Sequence, residues 1–135
     1  MMRVAALLAL ILVCAQPLAQ PILARVINIV DGDTLTVQTP DTSRVKVRLA
    51  GIDAPERGQS FAEASRQHLR EIVLNKTVAI EPGKYDRYGR VVALVRLQDG
   101  RDVGLAQVET GMAWWFRGTQ TSKTLKHAQR TKLLN

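Results

Sequence analysis

The sequence predicts one small α+β domain, mainly β, in which five short strands form an OB-fold barrel accompanied by about three helices. Three observations lead to this prediction. The length of 135 residues suits a single domain. Five short stretches have the alternation or the β-branched content of strands. A helical stretch separates the third of these from the fourth, which is the order of elements in an OB-fold.

The first three strands follow one another closely, with turn residues between them. We place them at Ile22–Val30, Thr34–Thr39 and Val45–Leu49, separated by turns at 31–33 and 40–43. In the third strand apolar residues alternate with basic ones, so one face should be apolar and the other charged. The outer face of strands two and three is where an OB-fold is open to oligonucleotides.

A helix is predicted between the third and fourth strands. Pro55 ends the preceding strand, and Ser60 with Glu63 matches a capping box, which would start the helix near Phe61. Apolar residues then recur at helical spacing as far as Val73. Asn75 is a suitable left-handed stop.

The remaining elements are short. Residues Thr77–Ile80 and Val91–Leu97 predict the fourth and fifth strands, and Val103–Thr110 predicts a short helix closed by Gly111. Ser122 could cap a last helix running towards Leu134.

Charge and cysteine content limit the classes of protein to consider. The net charge is +7 and the isoelectric point about 10.2, a balance that favours polyanionic partners such as nucleic acid or an anionic membrane surface. Cys14 is the only cysteine. A disulfide framework and a thiolate metal site are therefore excluded.

The N-terminus predicts a signal peptide within residues 1–24, followed by the domain at 25–135. Arg3 precedes an apolar run, Val4–Ala15, that is too short for a comfortable membrane span. Cleavage could follow Ala15, Ala19 or Ala24. We expect export to the periplasm or outside the cell; an uncleaved membrane anchor is the alternative.

Two carboxylates at the ends of adjacent predicted strands suggest a site for a hard cation. Asp33 and Asp53 offer oxygen ligands, which Ca²⁺ and Mg²⁺ prefer. Zinc is disfavoured because His68 and His127 lie far apart. An EF-hand is disfavoured because Leu35 stands where a third oxygen ligand belongs. Taken alone, the Asp-Gly-Asp-Thr segment favours a plain β-turn.

Two further residues add chemistry to this pair. Glu56 follows Asp53 by three residues, where a carboxylate near a metal could take a proton from an attacking water. Arg48 lies on the charged face of the third strand. The alternatives are a solvated loop acid and a surface charge.

At this point the chain resembles the thermonuclease-type family, the staphylococcal nuclease homologue domain. The family pattern is a strand followed by D-G-D-T, then R-x-x-G-I-D-x-P-E, then D-R-Y-G-R. All three motifs occur here in that order, at residues 31–34, 48–56 and 86–90. The resemblance covers roughly Ala24 to Phe116. It implies a calcium-dependent phosphodiesterase, built on an OB-fold, that cuts DNA and RNA with little sequence preference.

The resemblance also implies a ligand set for the calcium ion. Asp33 and Asp53 match the carboxylate ligands, and the main-chain carbonyl of Ala54 matches a third ligand. Ala54 stands where the best-known member has threonine, a change that a carbonyl ligand survives. Asp31 matches the acidic residue just outside the ligand shell.

Roles for the substrate-facing residues follow from the same resemblance. Arg48 and Arg90 match the arginines that bind the scissile phosphate, and Glu56 matches the proposed general base. Arg87 and Tyr88 match positions that flank the terminal phosphate of a bound nucleotide. Arginine forks that grip phosphate oxygens suit a reaction in which negative charge grows on those oxygens.

The aromatic segment near the end of the predicted domain has two interpretations. Trp114 and Trp115 could stack on nucleotide bases or pack in the core, and we expect one ring of each kind. The basic residues from Arg117 onward could contact phosphates or form a solvated helix face.

The sequence therefore favours a secreted, monomeric nuclease that needs Ca²⁺, takes DNA and RNA as substrates and has no obligate protein partner. A non-catalytic nucleic-acid-binding OB module is the main alternative, and a surface-anchored adhesion domain is a third. Neither alternative gives a reason for the complete set of Asp33, Arg48, Asp53, Glu56 and Arg90.

Overall fold

A computed structural model of the chain describes residues 20–116. The elements within this part are, in chain order, β1 (Ile22–Asp31), β2 (Thr34–Gln38), β3 (Arg44–Leu49), β4 (Ile52–Asp53), α1 (Ala62–Val73), β5 (Thr77–Tyr85), β6 (Val91–Arg96), α2 (Val103–Glu109) and β7 (Trp114–Trp115). The basic residues from Arg117, the predicted helix from Ser122 and the predicted signal peptide up to residue 19 lie outside the described residues. The last three residues of the segment predicted as a signal peptide, Ile22 to Ala24, belong to β1.

Five of the strands close into a barrel. Their order around it is β1-β2-β3-β6-β5, with β5 returning to β1. Neighbouring strands are antiparallel except for β3 and β6, which are parallel. This is the OB-fold arrangement, so the predicted fold class is confirmed. Of the three predicted helices, two lie in the described part.

The barrel interior is filled by the inward residues that alternate along each strand, as period-two patterning requires. Leu69 and Val73 of α1 and Val103 and Val108 of α2 are buried with them. Fully buried barrel residues include Val26, Ile29, Leu35, Val37, Val47, Leu49 and Val78. Within residues 20–116 no helix is long and apolar enough to cross a membrane.

The predicted capping box at the start of α1 is wrong. The helix begins at Ala62, after Phe61, which has a positive φ of 65° and lacks a side-chain cap. Ser60 therefore lies one residue too far from the helix to accept a hydrogen bond from its first turn. The predicted stop is confirmed, because Asn75 has φ 63°.

Strand β5 continues beyond its predicted end at Ile80. It runs to Tyr85 through Pro82 and Gly83, with an irregular register against β6. Proline is tolerated because β1 begins at Ile22, opposite Ile80, so no strand of the described part pairs with Pro82 on that side.

A two-stranded sheet beside the barrel was not predicted. Ile52 pairs with Trp115 and Asp53 with Trp114, and the Phe116 amide donates to the Gly51 carbonyl at 2.9 Å. This sheet ties the segment after α2 to the segment that carries Asp53.

Candidate functional site

The Asp-Gly-Asp turn joins β1 to β2. Asp31 pairs with Thr34, and the Asp33 amide donates to Asp31 Oδ1 at 3.1 Å. A Cβ at Gly32 would lie 1.8 Å from Ser65 Oγ and 2.9 Å from the Ala54 side chain. Only glycine fits between α1 and the strand end, so the turn that presents Asp33 requires it.

Asp33 is a buried carboxylate, 6% exposed. Its Oδ1 accepts from Thr34 Oγ1 at 3.0 Å, and its Oδ2 accepts from the Ala54 amide at 2.8 Å and lies 3.4 Å from Arg48 Nη2. Burial raises the Asp33 pKa from 3.8 to about 6, although Arg48 and the Ala54 amide oppose this. The negative charge is thus only partly compensated by the protein.

Arg48 connects the two predicted metal-binding carboxylates. Its Nη1 donates to the carbonyls of Leu49 and Ile52 at 2.8 and 2.7 Å, which anchors one arm of the fork. Its Nη2 lies 3.2 Å from Asp53 Oδ1 and 3.4 Å from Asp33 Oδ2. The guanidinium is therefore half-buried at the junction of β3 and β4, and is not a free surface charge.

Arg90 is held by Asp86 at the other side of Asp33. Its Nε donates to Asp86 Oδ2 at 2.6 Å, and the amides of Arg90 and Tyr88 both donate to Asp86 Oδ1 at 2.9 Å. Burial opposes ionisation of Asp86, but these hydrogen bonds prevail and hold its pKa below the usual range. Arg90 Nη1 also donates to Thr34 Oγ1 at 3.3 Å.

These contacts form one continuous network, which we call the site network: Asp86, Arg90, Thr34, Asp33, Arg48 and Asp53. It brings together four of the residues singled out from the sequence. Thr34 was not among the predicted site residues, yet its hydroxyl joins Arg90 to Asp33. The signal was present, since Thr34 follows the Asp-Gly-Asp turn directly.

Glu56 lies outside the site network, in an exposed turn. Its amide donates to Gln59 Oε1 at 2.7 Å and its carbonyl accepts from the Gln59 amide at 2.9 Å. Within residues 20–116 its carboxylate makes no hydrogen bond or ion pair. The backbone around Glu56 is thus fixed while the side chain remains available to solvent or a ligand.

The aromatic residues divide between surface and core. Tyr88 is exposed, and the guanidinium carbons of Arg87 and Arg90 lie 5.0 and 5.3 Å from its ring centroid, in cation–π range. Trp114 is exposed opposite Asp53, whereas Trp115 packs against the hydrophobic core. The structure thus places one tryptophan ring in each environment.

A buried polar cluster, missed by sequence analysis, supports the Asp-Gly-Asp turn. Gln107 and Ser65 are fully buried. Gln107 Nε2 donates to the carbonyls of Gly32 at 2.8 Å and Ser65 at 3.1 Å, and Ser65 Oγ donates to Met112 O at 2.6 Å. Gln107 Oε1 accepts from His68 Nδ1. This His68–Gln107–Ser65–Gly32 cluster fixes the turn to both helices.

The carboxylates suit a hard cation. Asp33 is a buried carboxylate with a raised pKa, which a cation would relieve, and Asp53 shares Arg48 with it. Among residues 20–116 no three His, Cys, Asp or Glu side chains are grouped to hold a metal ion alone. A cation here would thus need main-chain or solvent oxygens as well, which the chemistry of calcium and magnesium allows.

Comparison with known proteins adds to this geometry. Residues 46–133 match the family model described as "Staphylococcal nuclease homologue". The chain is 41% identical over 125 residues to "Protein ParB" of Escherichia coli, covering 87% of this chain and 70% of that protein. It is 43% identical over 93 residues to an "Uncharacterized endonuclease" of Haemophilus influenzae, covering 69% and 52%.

A third relative is the "Micrococcal nuclease" of Shigella flexneri, 32% identical over 139 residues, with 93% of this chain and 79% of that protein covered. The chain therefore spans between about half and four fifths of the length of these relatives.

Proposed function

The chain belongs to the staphylococcal nuclease homologue family, and on that premise we propose that it is a calcium-dependent nuclease that hydrolyses phosphodiester bonds in DNA and RNA. The site network is the observation that carries this proposal. It holds two arginines and three carboxylates in one connected set, which a protein that only bound nucleic acid would not need.

The two arginines bind the scissile phosphate in this proposal. Arg48 has Nη1 anchored on the carbonyls of Leu49 and Ile52 and Nη2 against Asp53 and Asp33, which leaves Nε to donate to a phosphate oxygen. Arg90 is oriented by Asp86 through Nε and by Thr34 through Nη1. Pre-oriented guanidinium groups stabilise the charge that grows on the phosphate oxygens during in-line displacement.

Glu56 acts as the general base. Its side chain is exposed and unpaired within residues 20–116, so it can accept a proton from a water molecule as the water oxygen bonds to phosphorus. The bond from phosphorus to the leaving oxygen breaks in the same displacement. The positive charges of Arg48 and Arg90 offset the charge that accumulates meanwhile.

Asp33, Asp53 and the main-chain carbonyl of Ala54 would hold the calcium ion. When bound, the ion supplies additional positive charge beside the phosphate. The Ala54 amide, which donates to Asp33 Oδ2 at 2.8 Å, orients that carboxylate. Asp31 orients the turn through the Asp33 amide.

The substrate form follows from the exposed rings. Tyr88 and Trp114 are exposed aromatic rings beside the site network. An unpaired base can stack on such a ring directly, whereas a base in a duplex must first separate from its neighbours. Contacts to phosphates and base faces are common to DNA and RNA and carry no base identity. We expect little sequence preference, and faster cleavage of single strands than of stable duplex.

We further propose that the protein is exported and acts as a monomer. Residues Ile22 to Ala24 pair with β5, and Ala24 is 3% exposed. Cleavage after Ala15 or Ala19 would leave these pairs intact, whereas cleavage after Ala24 would remove them. Mass spectrometry of the exported protein should therefore show a new N-terminus between Gln16 and Gln20, and size-exclusion chromatography should show a single chain.

The decisive experiment compares the purified protein on single-stranded and duplex DNA and on RNA, with calcium or with a chelator. Cleavage should require calcium. Asp33→Asn should lose both calcium binding and activity, whereas Asp99→Asn, at a distant turn, should lose neither. Undiminished hydrolysis in excess chelator would falsify the metal-dependent proposal, and binding without cleavage in calcium would favour the non-catalytic module.

A further inference from the structure

Strand β3 carries a row of basic side chains on its outer face. Arg44, Lys46 and Arg48 alternate with Val45 and two buried residues, so the three cations project on the same side. We call this row the β3 track. Its inner end is Arg48, a member of the site network, and its outer end is at the turn between β2 and β3.

The residues opposite the β3 track on β2 are uncharged. Thr34 pairs with Arg48, Thr36 with Lys46 and Gln38 with Arg44. Thr36 and Gln38 are half-buried, and their polar groups border the track. The surface between β2 and β3 is thus cationic and rich in hydrogen-bonding groups, with no carboxylate in the cross-strand positions.

Arg44 and Lys46 have no acidic partner within residues 20–116. The rest of the chain supplies none either, since residues 1–19 and 117–135 contain no Asp or Glu. The acid nearest in sequence, Asp41, is engaged within its own turn by Thr39 and by the amide and hydroxyl of Ser43. By contrast, Arg96 and Arg101 are paired with acids.

The spacing of the track fits a nucleic-acid backbone. Successive outward residues of a strand are roughly 7 Å apart, which is of the same order as the separation of consecutive phosphates in an extended single strand. The phosphates of a duplex follow a helical path, so only one or two of them could contact a straight row of side chains such as the β3 track. A row of unpaired cations that leads to a phosphate-binding arginine therefore matches an extended strand better than a duplex.

We propose that Arg44 and Lys46 are phosphate subsites that bind a single-stranded polynucleotide along β3 and lead it to Arg48. This proposal rests on the proposed nuclease function for the identity of the substrate. Thr36 and Gln38 would add hydrogen bonds to phosphate or sugar oxygens. The contacts carry no base identity, so the track should favour longer single strands regardless of their sequence.

The test measures equilibrium binding of a labelled oligothymidylate of about twelve nucleotides, with chelator present so that the probe stays intact. The Arg44→Gln/Lys46→Gln variant is compared with Arg70→Gln/Lys76→Gln, which removes the same charge from α1 and the segment after it. For single strands each lost phosphate contact lowers the slope of log affinity against log salt by about 0.7. The β3 variant should therefore lose about 1.4 in slope, and the control variant close to none.

Two comparisons distinguish binding along the β3 track from non-specific electrostatic attraction of the oligonucleotide to a basic protein. The affinity lost by the β3 variant should grow as the probe is lengthened from a dinucleotide, and it should be smaller for a duplex of equal length. Equal losses in the β3 and control variants, or equal losses on duplex and single strand, would overturn the proposal. Calcium-dependent cleavage by the unchanged protein is measured in parallel, so that failure of the nuclease proposal is seen separately from failure of the track.

Discussion

Replacing Gln107 by leucine tests whether the buried His68–Gln107–Ser65–Gly32 cluster holds the Asp-Gly-Asp turn in place. Leucine has a similar volume and fills the same space, but it cannot donate to Gly32 O as Gln107 does at 2.8 Å. Gly32 is buried, so its carbonyl oxygen would lose this donor. The Ser65 carbonyl is inside α1 and keeps its helical partner.

The magnitude follows from these contacts. A buried acceptor left without a partner costs about 1–3 kcal/mol. The half-buried His68, which also loses its contact with Gln107, can form a hydrogen bond with water instead. We expect the Gln107→Leu protein to lose about 2 kcal/mol in free energy of unfolding. For a domain of this size each kcal/mol lowers the melting temperature by about 4–8 °C. The expected change is thus of the order of 10 °C.

The assay is urea and thermal unfolding followed by circular dichroism. Gln67→Leu is the matched control, because Gln67 is exposed on α1 and donates only to Glu71 at 3.1 Å. Loss of such a surface pair should cost less than about 0.5 kcal/mol. A Gln107→Leu protein as stable as this control would refute the reasoning.

Calcium binding gives a second measure of the same variant. Gly32 lies between Asp31 and Asp33, so a loosened turn should misplace the Asp33 carboxylate. Residues that orient metal ligands typically change affinity by about 10–100-fold, and we expect a loss in that range by calorimetry at a temperature where Gln107→Leu is folded. Unchanged affinity in a destabilised protein would mean that the cluster serves stability alone.

Three further predictions concern the site network and its surroundings. Burial raises the pKa of Asp33 from 3.8 to about 6 in the folded protein, so without metal the free energy of unfolding should fall by about 2 kcal/mol from pH 4 to 6 relative to Asp33→Asn. Calcium should raise the melting temperature more at pH 7 than at pH 5. Arg90→Lys keeps the charge but loses the fork, so kcat should fall about 10²-fold or more, while Glu56→Gln should slow cleavage with much of the substrate affinity retained. Trp114→Ala should reduce the preference for single strands over duplex, as measured by kcat/KM on matched substrates.

Each of these predictions has a contrary outcome. Parallel stability curves for the wild-type and Asp33→Asn proteins would show that burial does not penalise the carboxylate. Near-normal turnover in both Arg90→Lys and Glu56→Gln would remove their proposed roles. If Trp114→Ala leaves the substrate preference unaltered, base stacking must take place elsewhere.

Much of the barrel was predictable because its strands alternate. Residues 45–49 show the alternation plainly, and Asn75 tolerates the left-handed conformation that ends α1. The start of α1 was mistaken because Phe61, a residue that rarely adopts a positive φ, does so here. The fourth strand was predicted to end at Ile80, yet it continues through Pro82 and Gly83, because no strand in residues 20–116 pairs with Pro82 on the β1 side.

The site was predictable in its charged residues and not in its supports. Asp33, Arg48 and Arg90 stand in recognisable motifs. Strands β4 and β7, by contrast, have two residues each and lie far apart in the sequence. A strand of two residues is too short to show an alternating pattern. Gln107 looks like a surface residue of a short helix. Its burial becomes apparent only when α1, α2 and the β1–β2 turn come together.

The pairing of β4 with β7 also gives the protein an optical reporter. Trp114 and Trp115 are the only tryptophans in the chain, and both lie on the strand that pairs with Asp53 and its neighbour. All tryptophan fluorescence therefore comes from the residue that pairs with Asp53, a proposed calcium ligand, and from the residue next to it. Ion or oligonucleotide binding can be followed by intrinsic fluorescence without a label, and Trp114→Phe would separate the exposed ring from the packed one.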